Sequence, residues 1–307
     1  MDISAVNPTL RTATEKAPAV NLENSVVRWL AGAASPLIPG KRVAGVERRT
    51  LRHDGVKLRV YIPARPSGAG LLWIHGGGLV LGAAAMDDVH CGETARDTGT
   101  TIVSVDYRLA PRHPFPAAID DCFIGWQWLR AHAEVLGLDG ERLAIGGQSA
   151  GGGLAASLVQ RAIDAGDAVA AQWLFCPMLD DRTAAERDHD AVNHFIWSNR
   201  SNLVGWRSYL GTAVGAESLP PYAAAARREE LAGMPPTWIY TSDIELFHDE
   251  DIEYANRLSA AGTDVTVEVV NAAPHGFEAW ASDSPMARDL LATARDWLRE
   301  RLERGAA

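Results

Sequence analysis

Ser149 is the central residue of Gly147-Gln148-Ser149-Ala150-Gly151, a stretch with the Gly-x-Ser-x-Gly spacing of a nucleophile elbow. In such an elbow a serine lies on a strained turn between a strand and a helix, where only small neighbours allow so tight a bend. Residues 142–146 are predicted to form a short buried strand, and the apolar spacing of residues 154–163 predicts a helix. The sequence therefore places a candidate nucleophile at the turn between these two elements.

A glycine run follows another predicted strand. His75-Gly76-Gly77-Gly78 comes directly after the apolar residues 70–74. Ester hydrolysis builds negative charge on the carbonyl oxygen, and this charge is stabilised by donors that are fixed before the reaction. Backbone N–H groups of glycines can approach a substrate closely, because no Cβ intervenes. A phosphate loop would need Gly-Lys-Ser/Thr or the Rossmann spacing, and neither is present. Together with the serine elbow, the run is therefore interpreted as an oxyanion loop.

The candidate base is a histidine near the carboxyl terminus. Beyond Ser149, only His248 and His275 lie near expected strand ends. His275 follows the predicted strand 264–270 and lies in a loop, the kind of segment in which catalytic side chains collect. It also fits the chain order serine, acid, histidine. We expect it to take the proton of Ser149 and then return it to the leaving alkoxide.

The acid is less defined by the residues alone. The loop after the predicted strand 236–242 carries Asp243, Glu245 and Asp249. Asp249 is expected to open the following helix, where negative charge is favourable at the N-terminus. Asp243 and Glu245 remain as candidates, and their spacing does not choose between them.

With these motifs the chain resembles the hormone-sensitive lipase family of α/β-hydrolases, the bacterial esterases with a His-Gly-Gly-Gly oxyanion loop. It also contains Asp106-Tyr107-Arg108-Leu109-Ala110-Pro111 and His113-Pro114-Phe115-Pro116-Ala117-Ala118, a block that is specific to this family. The similarity runs over about residues 51–302. It implies a serine–acid–histidine triad, hydrolysis of short to medium acyl esters, and an oxyanion hole made by the N–H groups of Gly76, Gly77 and Ala150.

The resemblance also bears on the acid. The family's acid usually heads an Asp-Pro-Leu-x-Asp pattern, and the matching residues here are Glu245-Leu246-Phe247-His248-Asp249. This register places Glu245 at the acid position. A second departure is Gln148, where the family usually has aspartate. That side chain is not itself catalytic, so the departure leaves the mechanism intact while it changes the local hydrogen bonding.

The block from Asp106 to Pro116 favours a structural interpretation. Arg108 is expected to hold Asp120 or Asp121 with its guanidinium group, behind the active site. The prolines of this block are expected to stiffen the entry to a helix over residues 117–131.

Composition sets limits on partners and compartment. A net charge of −10 over 307 residues argues against nucleic acid or an anionic membrane surface as the main partner. The three cysteines, Cys91, Cys122 and Cys176, have no metal-ligand spacing, and their low, odd number is typical of the reducing cytoplasm. Residues 1–20 lack the apolar core of a signal peptide, and no segment reaches the length of a membrane span. We therefore expect a cytoplasmic protein without metal or organic cofactor, and a homodimer is possible because the family is often dimeric.

The order of the predicted elements indicates the architecture. Two strands at 43–51 and 56–63 precede strands near 70–75, 101–106, 142–147, 169–176, 236–242 and 264–270, with helices between the later ones and a last helix over about 285–304. This alternation predicts an α/β-hydrolase fold, a mostly parallel sheet with helices on both faces. Residues 41–307 would form the catalytic domain.

Two regions lie outside the alternation. Residues 1–40 have helical spacing at Leu22, Val26 and Trp29, and an insertion over about 183–222 contains Trp197 and Trp206. Both regions are expected to form a helical cap over the mouth of the site. The candidate substrate-binding residues are Leu79, Trp197 and Trp206, although the aromatic rings could equally pack the cap itself.

The sequence therefore predicts a serine carboxylesterase that works through an acyl-serine intermediate. Ser149 attacks, His275 is base and then acid, and Glu245 orients the imidazole. A lactone or amide hydrolase would use the same residues. A ligand receptor on the same fold is the alternative outside catalysis, and the joint presence of serine, acid and histidine argues against it.

Overall fold

Strands and helices alternate through most of the chain in the computed structural model, which describes residues 1–17, 22–35 and 40–304. The strands are β1 (Val46–His53), β2 (Val56–Pro63), β3 (Gly70–Ile74), β4 (Thr101–Asp106), β5 (Leu143–Gln148), β6 (Ala171–Phe175), β7 (Thr237–Ser242) and β8 (Val265–Val270). The α-helices are α1 (Arg11–Lys16), α2 (Ser25–Ala34), α3 (Asp88–Thr98), α4 (Ala117–Ala131), α5 (Ala150–Asp164), α6 (Asp181–Ala185), α7 (Asn199–Leu210), α8 (His248–Ala260), α9 (Phe277–Trp280) and α10 (Pro285–Arg304). Short 3-10 helices cover Ile3–Ala5, Ala84–Asp87, Gly140–Arg142, Arg187–Ala191, Gly211–Ala213 and Ala225–Arg227.

One eight-stranded sheet runs through the molecule in the order β1-β2-β4-β3-β5-β6-β7-β8. Strand β2 is antiparallel to both of its neighbours, and every pair from β4 to β8 is parallel. The predicted antiparallel start and parallel continuation of the sheet are confirmed. Parallel strands bring their carboxyl ends to one edge, so the loops that follow β3, β5, β7 and β8 meet there.

The sheet separates two apolar cores. Successive residues of β3 alternate between them: Leu72 and Ile74 belong to one buried cluster, and Leu71 and Trp73 belong to the other. Helices α4, α5 and α8 pack into the first cluster, whereas α3 and α10 pack into the second. Because both faces are covered by helices, the central strands are buried throughout, which explains why their sequences are apolar runs rather than alternating patterns.

Most predicted elements have the expected place, with shifted ends. Helices α4 and α10 begin and end where the sequence analysis puts them, whereas β1 begins three residues later than predicted, at Val46. Helix α2 forms as expected, but Val26 and Trp29 on it are exposed rather than packed. Arg108 binds Asp121, one of its two expected partners.

Candidate active site

Ser149 lies in a turn with strained backbone geometry. Its φ of 55° is positive, which is uncommon for a residue with a side chain. Strand β5 ends at Gln148 and helix α5 begins at Ala150, so the serine is the single residue between them. A Cβ on Gly147 would lie 2.3 Å from the Gly151 carbonyl oxygen, and one on Gly151 would lie 2.1 Å from that of Ile74. The glycines therefore allow a turn that larger residues would block.

His275 contacts the serine directly. The Oγ of Ser149 lies 2.8 Å from Nε2 of His275, which is hydrogen-bond distance. The histidine follows β8 and precedes α9, and its carbonyl accepts a hydrogen bond of 3.0 Å from the indole N–H of Trp280. Both Ser149 and His275 are buried. The chain thus brings together two groups that are 126 residues apart in sequence.

Glu245 lies on the other side of the imidazole. Its Oε2 is 2.5 Å from Nδ1 of His275. Its Oε1 accepts hydrogen bonds from the Thr241 hydroxyl at 2.9 Å and from the Ser242 backbone N–H at 3.3 Å. A carboxylate only accepts, so the proton between the two side chains belongs to Nδ1, and Nε2 is left free to accept from Ser149. Thr241 and Ser242 were not singled out in the sequence, although they end the strand that leads to the acid.

Asp243, the other candidate acid, faces a different group of partners. Its Oδ2 accepts a hydrogen bond from the Asn271 side chain at 2.9 Å, and its Oδ1 accepts one from the Ala272 backbone N–H at 2.6 Å. Both partners lie in the loop between β8 and His275. Asp243 therefore joins the β7 and β8 ends, and the hydrogen bond to His275 comes from Glu245.

The glycine run lies against the elbow. A Cβ built on Gly76 would be 3.4 Å from Cβ of Ser149. Gly77 has φ +119°, and a Cβ there would lie 2.0 Å from the Leu81 carbonyl oxygen, so no side chain fits. No residue in the described part of the chain accepts a hydrogen bond from the backbone N–H of Gly76, Gly77 or Ala150. Ala150 is also the first residue of α5, where the helix dipole favours negative charge.

His75 supports the glycine run through contacts with Tyr107 and Gly76. Its ring stacks on Tyr107 at a centroid distance of 4.3 Å, and the Tyr107 hydroxyl donates to the His75 carbonyl at 3.0 Å. Burial lowers the pKa of His75, so the ring is neutral and its Nδ1–H donates to the Gly76 carbonyl at 2.7 Å. The Asp106–Pro111 block thus supports the loop through Tyr107, a role that the sequence did not indicate.

The predicted cap residues Trp197 and Trp206 contact the site at two different places. A Cβ on Gly78 would lie 2.0 Å from the ring of Trp197, so that ring covers the glycine run. Trp206 borders a small pocket beside the elbow, together with Leu79 and Ala150. The remaining lining of this pocket is Gly153, Leu154, Ser157, Met178, Tyr209 and residues 223–225. Leu79, Trp197 and Trp206 are all buried.

A larger cavity of about 870 Å³ lies elsewhere, between helix α2 and the segment after β4. Trp29 and Gly32 line it on one side, and Tyr107 and Arg108 line it on the other. The serine, the histidine and the glutamate are absent from its lining. This cavity is therefore separate from the hydrogen-bonded groups described above.

One cluster of potential metal ligands occurs among the residues with described positions. It consists of Cys176, Glu245 and His275, whose ligand atoms lie within 4.8 Å of one another. Burial raises the pKa of the Cys176 thiol, so it is protonated and is a poor ligand. Nδ1 of His275 and Oε2 of Glu245 are already bound to each other. The donor set therefore fits a hydrogen-bonded pair beside a neutral thiol better than a metal ion.

Comparison with known proteins identifies the family. The sequence profile of a family described as the alpha/beta hydrolase fold matches residues 71–279. The chain belongs to the α/β-hydrolase fold family. This hydrolase is 33% identical to the esterase LipI of Mycobacterium tuberculosis (strain ATCC 25618 / H37Rv) over 71% of its chain and 68% of that protein. It is 32% identical to the carboxylesterase NlhH of the same strain over 82% of its chain and 81% of that protein.

A solved structure of an esterase has the same fold as this chain. This hydrolase superposes on a structure described as a bacterial heroin esterase with a TM-score of 0.89, at 35% sequence identity, covering 98% of this chain and 99% of that one. The fold class predicted from the sequence is confirmed, as is the family resemblance on which that prediction drew. No helix in the described residues of this hydrolase is long and apolar enough to cross a membrane.

Proposed function

We propose that this α/β-hydrolase is a carboxylic-ester hydrolase for short to medium acyl esters and acts through an acyl-serine intermediate. The observation that carries the proposal is the continuous hydrogen-bonded chain from Ser149 through His275 to Glu245, with distances of 2.8 and 2.5 Å. The relatives named as esterases and a carboxylesterase support the same reaction class.

The geometry supports an acylation step in which His275 accepts the proton of Ser149 and then gives it to the leaving group. Oγ of Ser149 attacks the ester carbonyl carbon while Nε2 of His275 takes the hydroxyl proton. The carbonyl oxygen becomes negative, and the N–H groups of Gly76, Gly77 and Ala150 stabilise it. When the tetrahedral species collapses, the bond to the alcohol oxygen breaks and Nε2–H protonates the leaving alkoxide.

Deacylation repeats these steps with water. Nε2 of His275 takes a proton from a water molecule as its oxygen attacks the acyl carbon, and it returns the proton to Oγ of Ser149 as the acid leaves. Glu245 keeps Nδ1 protonated throughout and stabilises the imidazolium in both halves. The residues present account for every proton in this cycle.

The small pocket beside the elbow is the candidate acyl site. Ala150, an oxyanion donor in this proposal, borders it directly, and Trp206, Tyr209 and Met178 close it with bulky groups. Such walls restrict the acyl chain, which favours short acids. Trp197 covers the adjoining glycine run at Gly78, Leu79 lines the pocket itself, and these two residues complete the proposed substrate-binding set.

Two further assignments belong to the proposal. Cys91, Cys122 and Cys176 are all buried free thiols, which suits a cytoplasmic location. We also propose the catalytic domain over 41–307, with cap segments at 1–40 and about 183–222; residues 18–21, 36–39 and 305–307 of these ranges lie outside the described residues. A Cβ on Gly205 of α7 would lie 2.6 Å from the Gly78 carbonyl oxygen, and one on Gly32 of α2 would lie 3.0 Å from that of Val80, so both helices lie beside the oxyanion loop or the residues that follow it. A homodimer remains a prediction of the family resemblance.

A panel of p-nitrophenyl esters of graded acyl length tests the proposal. We expect the wild type to hydrolyse the acetate and butyrate esters fastest and Ser149→Ala to lose on the order of a million-fold in kcat. Ser104→Ala, which changes a buried serine of β4, is the matched control and should keep its activity. A folded Ser149→Ala protein within tenfold of the wild-type rate would contradict the assignment of the nucleophile.

A further inference from the structure

A buried carboxylate lies three residues after the proposed base. Glu278, on helix α9, is 4% exposed. Its Oε1 accepts a hydrogen bond of 2.5 Å from the Gln148 side-chain amide, and its Oε2 accepts one from the Tyr240 hydroxyl. Nothing in the acylation and deacylation steps uses this group, so its burial needs another explanation.

The three side chains connect the three elements that carry the site. Gln148 is the last residue of β5 and directly precedes Ser149, whereas Tyr240 lies in β7, the strand that leads to Glu245. Glu278 is on the short helix that follows His275. Its two hydrogen bonds therefore tie the histidine loop to the nucleophile turn and to the strand of the acid.

The histidine loop also packs directly on the glutamine amide. Gly276 has φ +63°, and a Cβ there would lie 3.4 Å from Nε2 of Gln148. A change in the Gln148–Glu278 contact therefore acts on the residue next to His275. Because a catalytic hydrogen bond depends on positions within about 0.5 Å, such a contact is well placed to set the Ser149–His275 distance.

Both oxygens of the carboxylate accept hydrogen bonds, Oε1 from the Gln148 amide and Oε2 from the Tyr240 hydroxyl, a pattern that suits the ionised form. Burial raises the pKa of Glu278 above its usual value, and the Tyr240 hydroxyl, the Gln148 amide and the nearby His275 offset part of this rise by favouring the charged form. Among the described residues, Asp87, Cys176 and Tyr240 also interact electrostatically with it, and none of them supplies a positive charge. The imidazolium that forms on His275 during the reaction is thus the cation with which this charge interacts.

We propose that Glu278 is a positioning residue of the reaction, which fixes His275 relative to Ser149 through Gln148 and adds a second negative charge that stabilises the imidazolium. This inference rests on the proposed ester hydrolysis. It assigns a purpose to Gln148: a neutral amide can donate to the buried carboxylate, whereas a carboxylate at position 148 would repel it.

The test compares three variants. Glu278→Gln removes the charge and keeps the shape. The double variant Gln148→Glu/Glu278→Gln exchanges the two groups, so that one amide–carboxylate hydrogen bond and one negative charge remain. Tyr240→Phe is the control, because it deletes one hydrogen bond to Glu278 but keeps the carboxyl group and its contact with Gln148. Each variant is assayed for kcat and KM against pH with p-nitrophenyl acetate, and its melting temperature is measured.

For Glu278→Gln we expect kcat to fall about tenfold with KM within about twofold, since the charge acts in the transition state. The acidic limb of the kcat/KM profile should move to lower pH by about half a unit or more, because the imidazolium loses a neighbouring negative charge. The exchanged double variant should return the acidic limb to its wild-type position and recover at least half of the lost kcat on a logarithmic scale. Tyr240→Phe should lower the melting temperature and leave the acidic limb unchanged.

The inference is overturned if folded Glu278→Gln has the kcat and the acidic limb of the wild type, or if its limb is unmoved while only its melting temperature falls. If Glu278→Gln does not fold, the double variant decides: a wild-type acidic limb supports the inference, and a displaced limb overturns it. A wild type that hydrolyses no ester would instead contradict the proposed function, so the two failures are distinguishable.

Discussion

Exchanging the carboxylate of Glu245 for an amide should stop the reaction with little effect on folding. In Glu245→Gln, the side-chain oxygen can still accept from Thr241 and Ser242, which now hold Oε1. The NH₂ group would then face Nδ1 of His275, where Oε2 lies at 2.5 Å. Two donors cannot share that position, so the imidazole is driven to the tautomer with its proton on Nε2.

That tautomer cannot accept the proton of Ser149. Loss of the orienting acid in a serine–histidine–acid site costs about ten-thousand-fold in kcat while the geometry stays intact, and we expect a similar loss here. Asp243→Asn is the matched control on the same loop. Its bonds go to Asn271 and Ala272, so we expect kcat within about threefold of wild type and a stability loss of about 1 kcal/mol.

The two variants are compared by measuring kcat with p-nitrophenyl acetate and the melting temperature on the same preparations. We expect Glu245→Gln to be slow but stable, and Asp243→Asn to be active and slightly less stable. If Asp243→Asn is inactive while Glu245→Gln turns over normally, the acid has been assigned to the wrong residue.

Three other predictions follow from the same structure. Gly77→Ala places a Cβ where the Leu81 carbonyl oxygen lies 2.0 Å away, so kcat should fall about a hundred- to a thousand-fold with little change in KM; Gly140→Ala, at an open position, is the control, and a normal kcat in Gly77→Ala would refute the oxyanion role. Trp206→Ala should shift the acyl-length profile towards longer chains, and an unchanged profile would mean that this ring only packs the cap. Burial raises the pKa of Asp87 from 3.8 to about 6, so the unfolded chain loses this proton first and the free energy of unfolding should fall as pH rises from about 4 to about 6. Asp87→Asn should therefore gain up to about 3 kcal/mol at pH 7 and nothing at pH 4, as measured by urea unfolding, and equal gains at both pH values would contradict the burial argument.

Local patterns were sufficient for most of the fold. Central strands are buried on both faces and appear as short apolar runs, and their ends carry the motifs of the site. A helix was expected between β3 and β4, but the bounds of α3 could not be predicted because its buried face is partly polar. Asp88 on that helix is 1% exposed, and it binds Arg59 and the hydroxyl of Tyr61 in place of apolar contacts. The period of apolar residues does not show where a helix begins and ends when the helix packs partly through buried ions.

The parts of the site that lie in short sequence motifs, such as Ser149 and the glycine run, could be predicted from the sequence. Spacing could not choose between Asp120 and Asp121 as the partner of Arg108, because adjacent helix residues face different directions, and in the structure Asp120 binds Arg161 instead. The departure at Gln148 was visible in the sequence. Its partner Glu278 lies 130 residues away, and only the folded sheet brings the two together.

Labelling with a fluorophosphonate probe tests the central claim most directly, because such a probe forms a covalent bond only with an activated serine. We predict that the wild type gains the mass of one probe and that peptide mapping places it on Ser149. Ser149→Ala should gain none. An unlabelled wild type, or a label that remains in Ser149→Ala, would contradict the claim that this hydrogen-bonded chain activates Ser149.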